Sequence, residues 1–297
     1  MGNTDCCQSS PPVNIQVVED VQQQANKMMG SENGGPPTGR SQGITQQRKQ
    51  LAGGAVYDGG WLATQRHGFG KLVEPERGTY EGQWSHDKRH GAGKYTYANG
   101  TVYDGQYVND MKHGKGTMVC PARDGEQKME GSSYDGEWVS DLQDGRGVER
   151  WSDGSMYEGS FKRGMKHGQG KFTWSQFCQF EGQFYENDMH GFGSYSWADG
   201  RSFNGQWVRN TMQGDGVMKY PDGRVYEGGF VNGKKHGQGS LKWADGRSYV
   251  GQWKDGHQHG MGVATTAKGR SRQSEWNSGK WIRWIEDDAK TADTKSG

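Results

Sequence analysis

The chain has 297 residues, a formal net charge of +1 and 51 glycines. The near-zero charge argues against a nucleic-acid-binding protein, which usually carries a strongly basic face, although it leaves room for a local basic row. No apolar run reaches the ~20 residues of a membrane-spanning helix. Only nine residues are Leu or Ile, whereas 34 are aromatic, so any core must be built from rings, each of which buries ~150–250 Å².

Residues 1–54 are rich in Gln, Ser, Gly and Pro, which predicts a flexible, disordered N-terminal tail. The chain starts Met-Gly-Asn-Thr-Asp-Cys-Cys, and Gly2 stands where N-myristoylation occurs. Cys6 replaces the usual Ser or Thr of that motif, while the adjacent Cys6 and Cys7 are candidate palmitoylation sites. We therefore predict a lipid anchor at these three residues; the alternative is an ordinary disordered tail.

Residues 55–285 contain a repeated unit that begins with Tyr-x-Gly-x-aromatic, as in 80–84 (Tyr-Glu-Gly-Gln-Trp). Every step between successive leading rings is 23 residues except the step from Tyr103 to Tyr134, which is 31. The additional residues are assigned to a loop insertion at about 121–130. The leading rings are Tyr57, Tyr80, Tyr103, Tyr134, Tyr157, Phe180, Phe203, Tyr226 and Tyr249.

Each unit continues with His-Gly-x-Gly or a close variant, then alternating apolar and polar residues, then in most units Asn-Gly or Asp-Gly. Alternation with period 2 indicates a half-buried strand, and Asn-Gly favours a two-residue type I′ hairpin turn. The pattern therefore predicts a unit of strand, Gly-rich turn, strand and tight turn. Stacked units would form an elongated, open, solenoid-like all-β sheet, roughly 90–100 Å long at a strand spacing of about 4.8 Å.

These motifs at a 23-residue period resemble the MORN repeat, over about residues 55 to 280. The resemblance implies a fold of stacked β-hairpins and a scaffold role at membranes or in the cytoskeleton. Some members of the family carry the repeats beside a catalytic domain, but only a short segment, ending in the polar tail 286–297, follows the array here. The resemblance therefore implies no enzymatic activity.

The second ring of each unit is predicted to belong to the structural core. A tenth, eroded unit around Trp276 leads into Trp281, Ile282, Trp284 and Ile285, which we interpret as a C-terminal cap of the stack. Interfacial membrane binding by these tryptophans is the alternative. The predicted core rings are Trp84, Trp138, Phe161, Phe184, Trp207, Phe230 and Trp253.

The sequence offers no set of nucleophile, base and acid, so we predict no catalytic residues, no enzyme and no cofactor. Seven of the nine histidines share one repeat phase, yet equivalent atoms in successive units are ~9.5 Å apart. Zinc requires ligands within ~2.0–2.3 Å of one ion, so no metal site is predicted. A histidine that packs against a turn is the simpler interpretation.

Basic residues cluster near predicted turns, where a row of them can attract anionic lipid such as phosphoinositides at ~1 kcal/mol per residue. The alternative is a solvated edge that discourages aggregation between strands. The candidate headgroup contacts are Lys88, Arg89, Lys112, Lys166, Lys234 and Lys235.

Together these features predict a non-catalytic, membrane-tethered scaffold or adaptor at the cytosolic face of a cortical or plasma membrane. A structural component of a cilium, flagellum or cytoskeleton with an unmodified N-terminus is the alternative. We expect protein partners whose identity the sequence does not indicate, no nucleic acid, and a homodimer formed end to end or edge to edge, because an open sheet leaves strand edges and the ends of the stack are only partly capped.

Overall fold

The structure is a computed structural model that describes residues 43 to 122 and 131 to 285. The chain divides into two compact units, residues 1–165 and 166–297. The lipidation residues Gly2, Cys6 and Cys7, most of the loop insertion and the polar tail 286–297 lie outside the described residues.

The described residues of the first unit form ten strands and one short 3₁₀ turn, Ala52–Gly54. The strands are β1 (Ile44–Gln50), β2 (Val56–Leu62), β3 (Gln65–Glu74), β4 (Gly78–Ser85), β5 (Lys88–Tyr97), β6 (Val102–Val108), β7 (Met111–Val119), β8 (Ser133–Val139), β9 (Leu142–Arg150) and β10 (Met156–Lys162).

In the second unit, the residues described up to 285 form eleven strands, the first of which begins at the boundary between the units. They are β11 (Met165–Thr173), β12 (Gln179–Tyr185), β13 (Asp188–Ser196), β14 (Ser202–Val208), β15 (Thr211–Lys219), β16 (Val225–Val231), β17 (Lys234–Lys242), β18 (Ser248–Lys254), β19 (His257–Thr265), β20 (Ser271–Asn277) and β21 (Lys280–Trp284).

Within each unit every strand pairs antiparallel with the next one in the chain. Each unit is thus an open meander of hairpins, and the predicted all-β fold of stacked hairpins is confirmed. None of the described helical segments is long and apolar enough to cross a membrane.

The hairpins alternate between two kinds of turn, and their positions differ from the prediction. The two-residue turns are formed by pairs such as His86 and Asp87, both in the left-handed region at φ +49° and +69°. Asn99-Gly100 instead lies in a three-residue turn, in which Gly100 donates to Tyr97 O at 3.0 Å and Tyr97 donates to Thr101 O at 2.8 Å. Only Gly100 of that turn has positive φ (+83°), as in a type I turn followed by a bulge. We call these two kinds short turns and long turns.

The His-Gly-x-Gly segment was predicted to be a turn, but it lies inside a strand. In β5 the residues from His90 to Ala92 all face the single residue Gln83 of β4, because the pairing shifts register there. Gly91 occupies this bulge at φ +66°, where glycine is tolerated without steric cost. The Gln83 side chain accepts a hydrogen bond from the Ala92 N–H at 2.8 Å, so the bulge is held by a side chain rather than by a turn.

The sheet also begins earlier than the predicted boundary at residue 54. Strand β1 pairs with β2 along its whole length, and Gln47 O accepts a hydrogen bond from Trp61 Nε1 at 3.1 Å. Lys49 Nζ lies 3.9 Å above the Trp61 ring. A polar strand therefore covers the first tryptophan, although its composition resembles that of the tail.

Candidate interaction surfaces

The leading ring of each 23-residue repeat folds over a pair of glycines on what we call the inner face of the sheet. Tyr80 Oη donates to Gln83 O at 2.9 Å, so its ring crosses Gly82 and the facing Gly93. A Cβ atom on Gly93 would lie 2.2 Å from Tyr80 Oη, and one on Gly82 would lie 2.6 Å from it. The Tyr-x-Gly motif is therefore a steric slot for the ring.

The second ring of a repeat packs edge-on between two leading rings, one from its own repeat and one from the preceding repeat. Trp84 lies 5.1 Å from Tyr80 and 5.4 Å from Tyr57, with near-perpendicular planes, and its Nε1 donates to Gly70 O at 3.1 Å. This edge-to-face geometry is favoured by the ring quadrupole. The rings named from the sequence are all exposed by 5% or less: Trp84, Trp138, Phe161, Phe184, Trp207, Phe230 and Trp253.

The basic residues named as headgroup contacts occupy the starts of strands that follow short turns. Four of them are partly buried on the inner face: Arg89 lies 5.2 Å from the Tyr107 ring, Lys112 4.8 Å from Trp138, Lys166 5.8 Å from Phe172 and Lys235 5.0 Å from Trp253. Burial, followed by the charge of Arg224, lowers the pKa of Lys235. Lys88 and Lys234 are exposed. The structure thus places two of the six toward solvent and four over rings.

Neighbouring short turns are connected by a two-way hydrogen bond. Asp87 N–H donates to Arg66 O at 3.0 Å, and Asp87 Oδ1 accepts from Arg66 N–H at 2.9 Å and from Arg66 Nε at 3.0 Å. Burial raises the pKa of Asp87, but the hydrogen bonds from Arg66 outweigh this and leave it lowered. We call this arrangement the turn clamp; equivalent side-chain acceptors are Asp110, Asp141, Asn187 and Asn210.

The repeated histidine position faces the next short turn. Where the sequence replaces the histidine, the substitute accepts a backbone hydrogen bond from that turn: Asp144 from Arg163 N–H at 3.0 Å and Gln213 from Asn232 N–H at 3.1 Å. Among residues 43–122 and 131–285, no group of three or more His, Cys, Asp or Glu side chains could hold a metal ion. The position therefore contributes to contacts between successive 23-residue repeats.

We call the face of the sheet opposite the rings the outer face. In the first unit it carries opposite charges on neighbouring strands. Lys71 lies 3.3 Å from Glu81, and Lys94 lies 3.9 Å from Asp104. A shallow depression of about 300 Å³ on this unit is lined by both signs of charge, including Lys115, Asp135, Glu137, Arg146 and Glu158. This face offers a polar contact surface of balanced charge.

Long turns of the second unit carry arginine beside an aromatic ring. Arg201 lies 5.2 Å above the Trp197 ring and 2.7 Å from Asp199. The same arrangement recurs at Tyr220, Asp222 and Arg224 and at Trp243, Asp245 and Arg247. Sequence reasoning missed this row, although the recurring Asp-Gly-Arg is visible in the sequence.

The family model for the MORN repeat matches nine segments that together cover more than half of the chain. The chain belongs to the MORN-repeat family. The matched residues are 57–73, 80–102, 103–124, 134–156, 157–179, 180–200, 203–223, 226–246 and 249–269.

Other comparisons add little to this MORN assignment. No curated protein gives a significant match to the sequence. Among solved structures, one titled "Streptogramin B lyase structure" matches 79% of this chain and 82% of its own, at 9% sequence identity and a TM-score of 0.16. A likeness this weak supports no inference about the MORN array.

Proposed function

We propose that this MORN-repeat protein is a non-catalytic scaffold or adaptor, tethered by acyl chains to the cytosolic face of a cortical or plasma membrane. The observation that supports the scaffold role is how the array uses the side chains of its repeated motif. Successive repeats are held together by the rings, the motif glycines, the turn carboxylates and the residues at the histidine position. The outer face of the sheet and the turns therefore remain as surfaces for protein partners. Such an arrangement is typical of repeat proteins that bind through extended surfaces.

The tether is proposed from the sequence of the N-terminal segment. One myristoyl chain gives only marginal membrane affinity, with an association constant on the order of 10⁴ M⁻¹. Stable residence requires a second signal, and Cys6 and Cys7 follow Gly2 closely enough to supply one. Myristoylation of Gly2 would deliver the chain to membranes, and acylation of the cysteines would retain it there.

Headgroup contact by the array is a weaker second element of the proposal. Of the six basic residues named from the sequence, the exposed Lys88 and Lys234 are the ones whose ammonium groups are best placed to reach phosphate. The other four pack over rings, and their transfer to lipid would remove those contacts.

Fractionation of cells that express the full chain tests the tether. Gly2→Ala should move the protein to the soluble fraction, whereas Cys6→Ser with Cys7→Ser should leave weak and unsorted membrane association. Lys71→Ala, a control at an exposed lysine outside the six candidate headgroup contacts, should pellet like the wild type, and detergent should release all pelleted protein.

Two results would contradict the proposal. If Gly2→Ala and the double cysteine variant both remain with the wild type, the N-terminus does not localise the protein. Resistance of the pelleted wild type to detergent would instead favour the ciliary or cytoskeletal alternative.

A further inference from the structure

Phe177 has a backbone conformation that its side chain disfavours. It lies in the long turn between β11 and β12 at φ +62°, in the left-handed region where a bulky residue is a genuine outlier. This conformation costs roughly 1–2 kcal/mol for residues other than glycine. Six other long turns place glycine at the same position: Gly100, Gly154, Gly200, Gly223, Gly246 and Gly269.

The strain at Phe177 is not compensated by burial. Its side chain is 90% exposed, the highest value among the exposed large apolar residues of the described chain. The turn itself is well formed, since Phe177 N–H donates to Trp174 O at 3.1 Å and Trp174 N–H donates to Cys178 O at 2.9 Å. Trp174 packs against Phe172 and Tyr195, at centroid distances of 4.4 and 5.3 Å. A firmly held turn therefore presents an apolar ring to solvent.

The turns that follow along the same edge of the second unit carry the arginine and ring pairs. The turn of Arg201 is next along the meander, because Gln179 faces Ser196 and Ser196 faces Ser202 across successive strands. The turn of Arg224 lies beside it, since a Cβ placed on Gly200 would be 3.3 Å from the Pro221 side chain. The side chains of Arg201 and Arg224 are 42% and 39% exposed.

Charge along this edge is positive in sum. The four long turns after that of Phe177 contain five cations and three carboxylates. The carboxylates of Asp199 and Asp222 contact arginine Nε, while a guanidinium has further N–H donors on its two Nη atoms. Those donors can reach an external oxyanion without breaking the pair. The cations are Arg201, Arg224, Arg247, Lys268 and Arg270, and the carboxylates are Asp199, Asp222 and Asp245.

We propose that Phe177, together with Arg201 and Arg224, forms a second membrane contact, in which the ring enters the lipid surface and the guanidinium groups bind anionic headgroups. Segments that lie in the boundary between headgroups and acyl chains bury apolar side chains such as Phe and carry Lys or Arg on their polar side. A rigid turn lowers the entropic cost of inserting the ring. The inference rests on the proposed membrane function. It assigns the main lipid contact of the array to the edge formed by the long turns, instead of the edge formed by the short turns.

Vesicle sedimentation with the full chain tests this contact. All proteins carry Gly2→Ala, so that no myristate contributes and failure here leaves the acyl tether untouched. Phosphatidylcholine vesicles are compared with vesicles that also contain phosphatidylserine. Phe177→Gly should bind the anionic vesicles several-fold more weakly than the parent, and its melting temperature should equal or exceed that of the parent, because the turn regains its usual glycine.

A matched control and a charge series sharpen the test. Phe192→Thr removes another exposed ring, 58% accessible and located within β13, and should bind like the parent. Arg201→Thr and Arg224→Thr introduce the residue that Thr101 supplies at the equivalent position of another long turn. Each should weaken binding to anionic vesicles about five-fold, as expected for about 1 kcal/mol per residue. Asp199→Asn with Asp222→Asn should strengthen it.

Three results would overturn the proposal. The first is that the parent fails to bind anionic vesicles. The second is that Phe177→Gly binds them as tightly as the parent, which would favour a protein partner as the ligand of the ring. A fall in the melting temperature of Phe177→Gly would show that the ring serves folding.

Discussion

At the scale of single residues, the array depends on space left empty by glycine as much as on the rings that fill it. Tyr80 can reach Gln83 O only because Gly82 and Gly93 lack Cβ atoms along its path. The motif therefore couples one ring to two glycines on adjacent strands. Sequence reasoning identified the ring and the glycines, but not that they form one slot, because the facing glycine lies 13 residues away along the chain.

We expect Gly93→Ala to be among the most destabilising single changes in the array. The new Cβ would lie 2.2 Å from Tyr80 Oη, so the ring must leave the core, at a cost of several kcal/mol, similar to a buried aromatic truncation of about 3–5 kcal/mol. Gly154→Ala is the control, because nothing lies within 4 Å of its Cβ position and only its φ of +83° opposes alanine. Its cost should be about 1–2 kcal/mol, the cost of the left-handed conformation for a residue other than glycine. Denaturant unfolding compares them, and equal losses would contradict the slot.

Buried tyrosines should make the fold sensitive to alkaline pH. Burial raises the pKa of Tyr57 and of Tyr195 from 10.0 to about 12. The unfolded chain therefore loses these protons at lower pH than the folded chain, and the stability they contribute is fully present below pH 10.0 and is lost as the pH rises toward about 12. Tyrosinate absorbance and far-UV circular dichroism should change together in that window. Titration of all tyrosines near pH 10, with the fold intact, would refute this.

At the scale of hairpins and turns, the sequence predicted the strands more reliably than the turns between them. Period-2 alternation and the 23-residue step locate the strands because burial on one face directly selects the side chains. The short turns could not be predicted in this way, because His86 and Asp87 adopt positive φ although neither is glycine. Their conformation is stabilised by Arg66 of the preceding repeat. A contact between two repeats cannot be recognised from the two turn residues alone.

The turn clamp should be measurable at Asp87. Asp87→Asn keeps the Oδ1 acceptor, as Asn187 and Asn210 do in the second unit, and should be nearly neutral. Asp87→Ala removes the acceptor for Arg66 N–H and Nε and should cost about 1–3 kcal/mol, as expected for hydrogen bonds to a charged group. Hydrogen exchange of the Arg66 amide checks the mechanism: protection should fall in the alanine variant alone. Unchanged protection in both variants would show that the clamp is dispensable.

At the scale of the whole molecule, the predicted homodimer depends on the outermost strands. Strand β21 pairs with β20 on one side, and its Trp281 and Ile282 are 47% and 49% exposed. Among the described residues no strand pairs with the other edge of β21, and an unpaired edge strand is a template for pairing with another chain. We expect concentration-dependent dimers in sedimentation, and Ile282→Lys should shift them to monomer.

Val231→Lys is the matched control for the dimer. Val231 is 39% exposed, but its strand β16 is paired on both sides, so this variant should dimerise like the wild type. A wild-type protein that sediments only as monomer at tens of micromolar would dismiss the homodimer, as would equal effects of the two lysines.

The end of the ring ladder has a consequence for how the array could change length. Arg272 stands where a further leading tyrosine would be, and Ser274 fills the slot that such a ring would need, donating to Gly262 O at 3.1 Å and accepting from Trp276 Nε1 at 2.8 Å. On the following strand, β21, the residue that faces Ser274 is Trp284, where the other repeats have glycine. Arg272→Tyr alone would therefore collide with its own strand and its neighbour, and three coordinated substitutions would be required to restore the slot. Point mutation would therefore have to change all three residues before a further ring could enter the ladder at its C-terminal end, whereas duplication of an internal 23-residue repeat copies ring and glycines together.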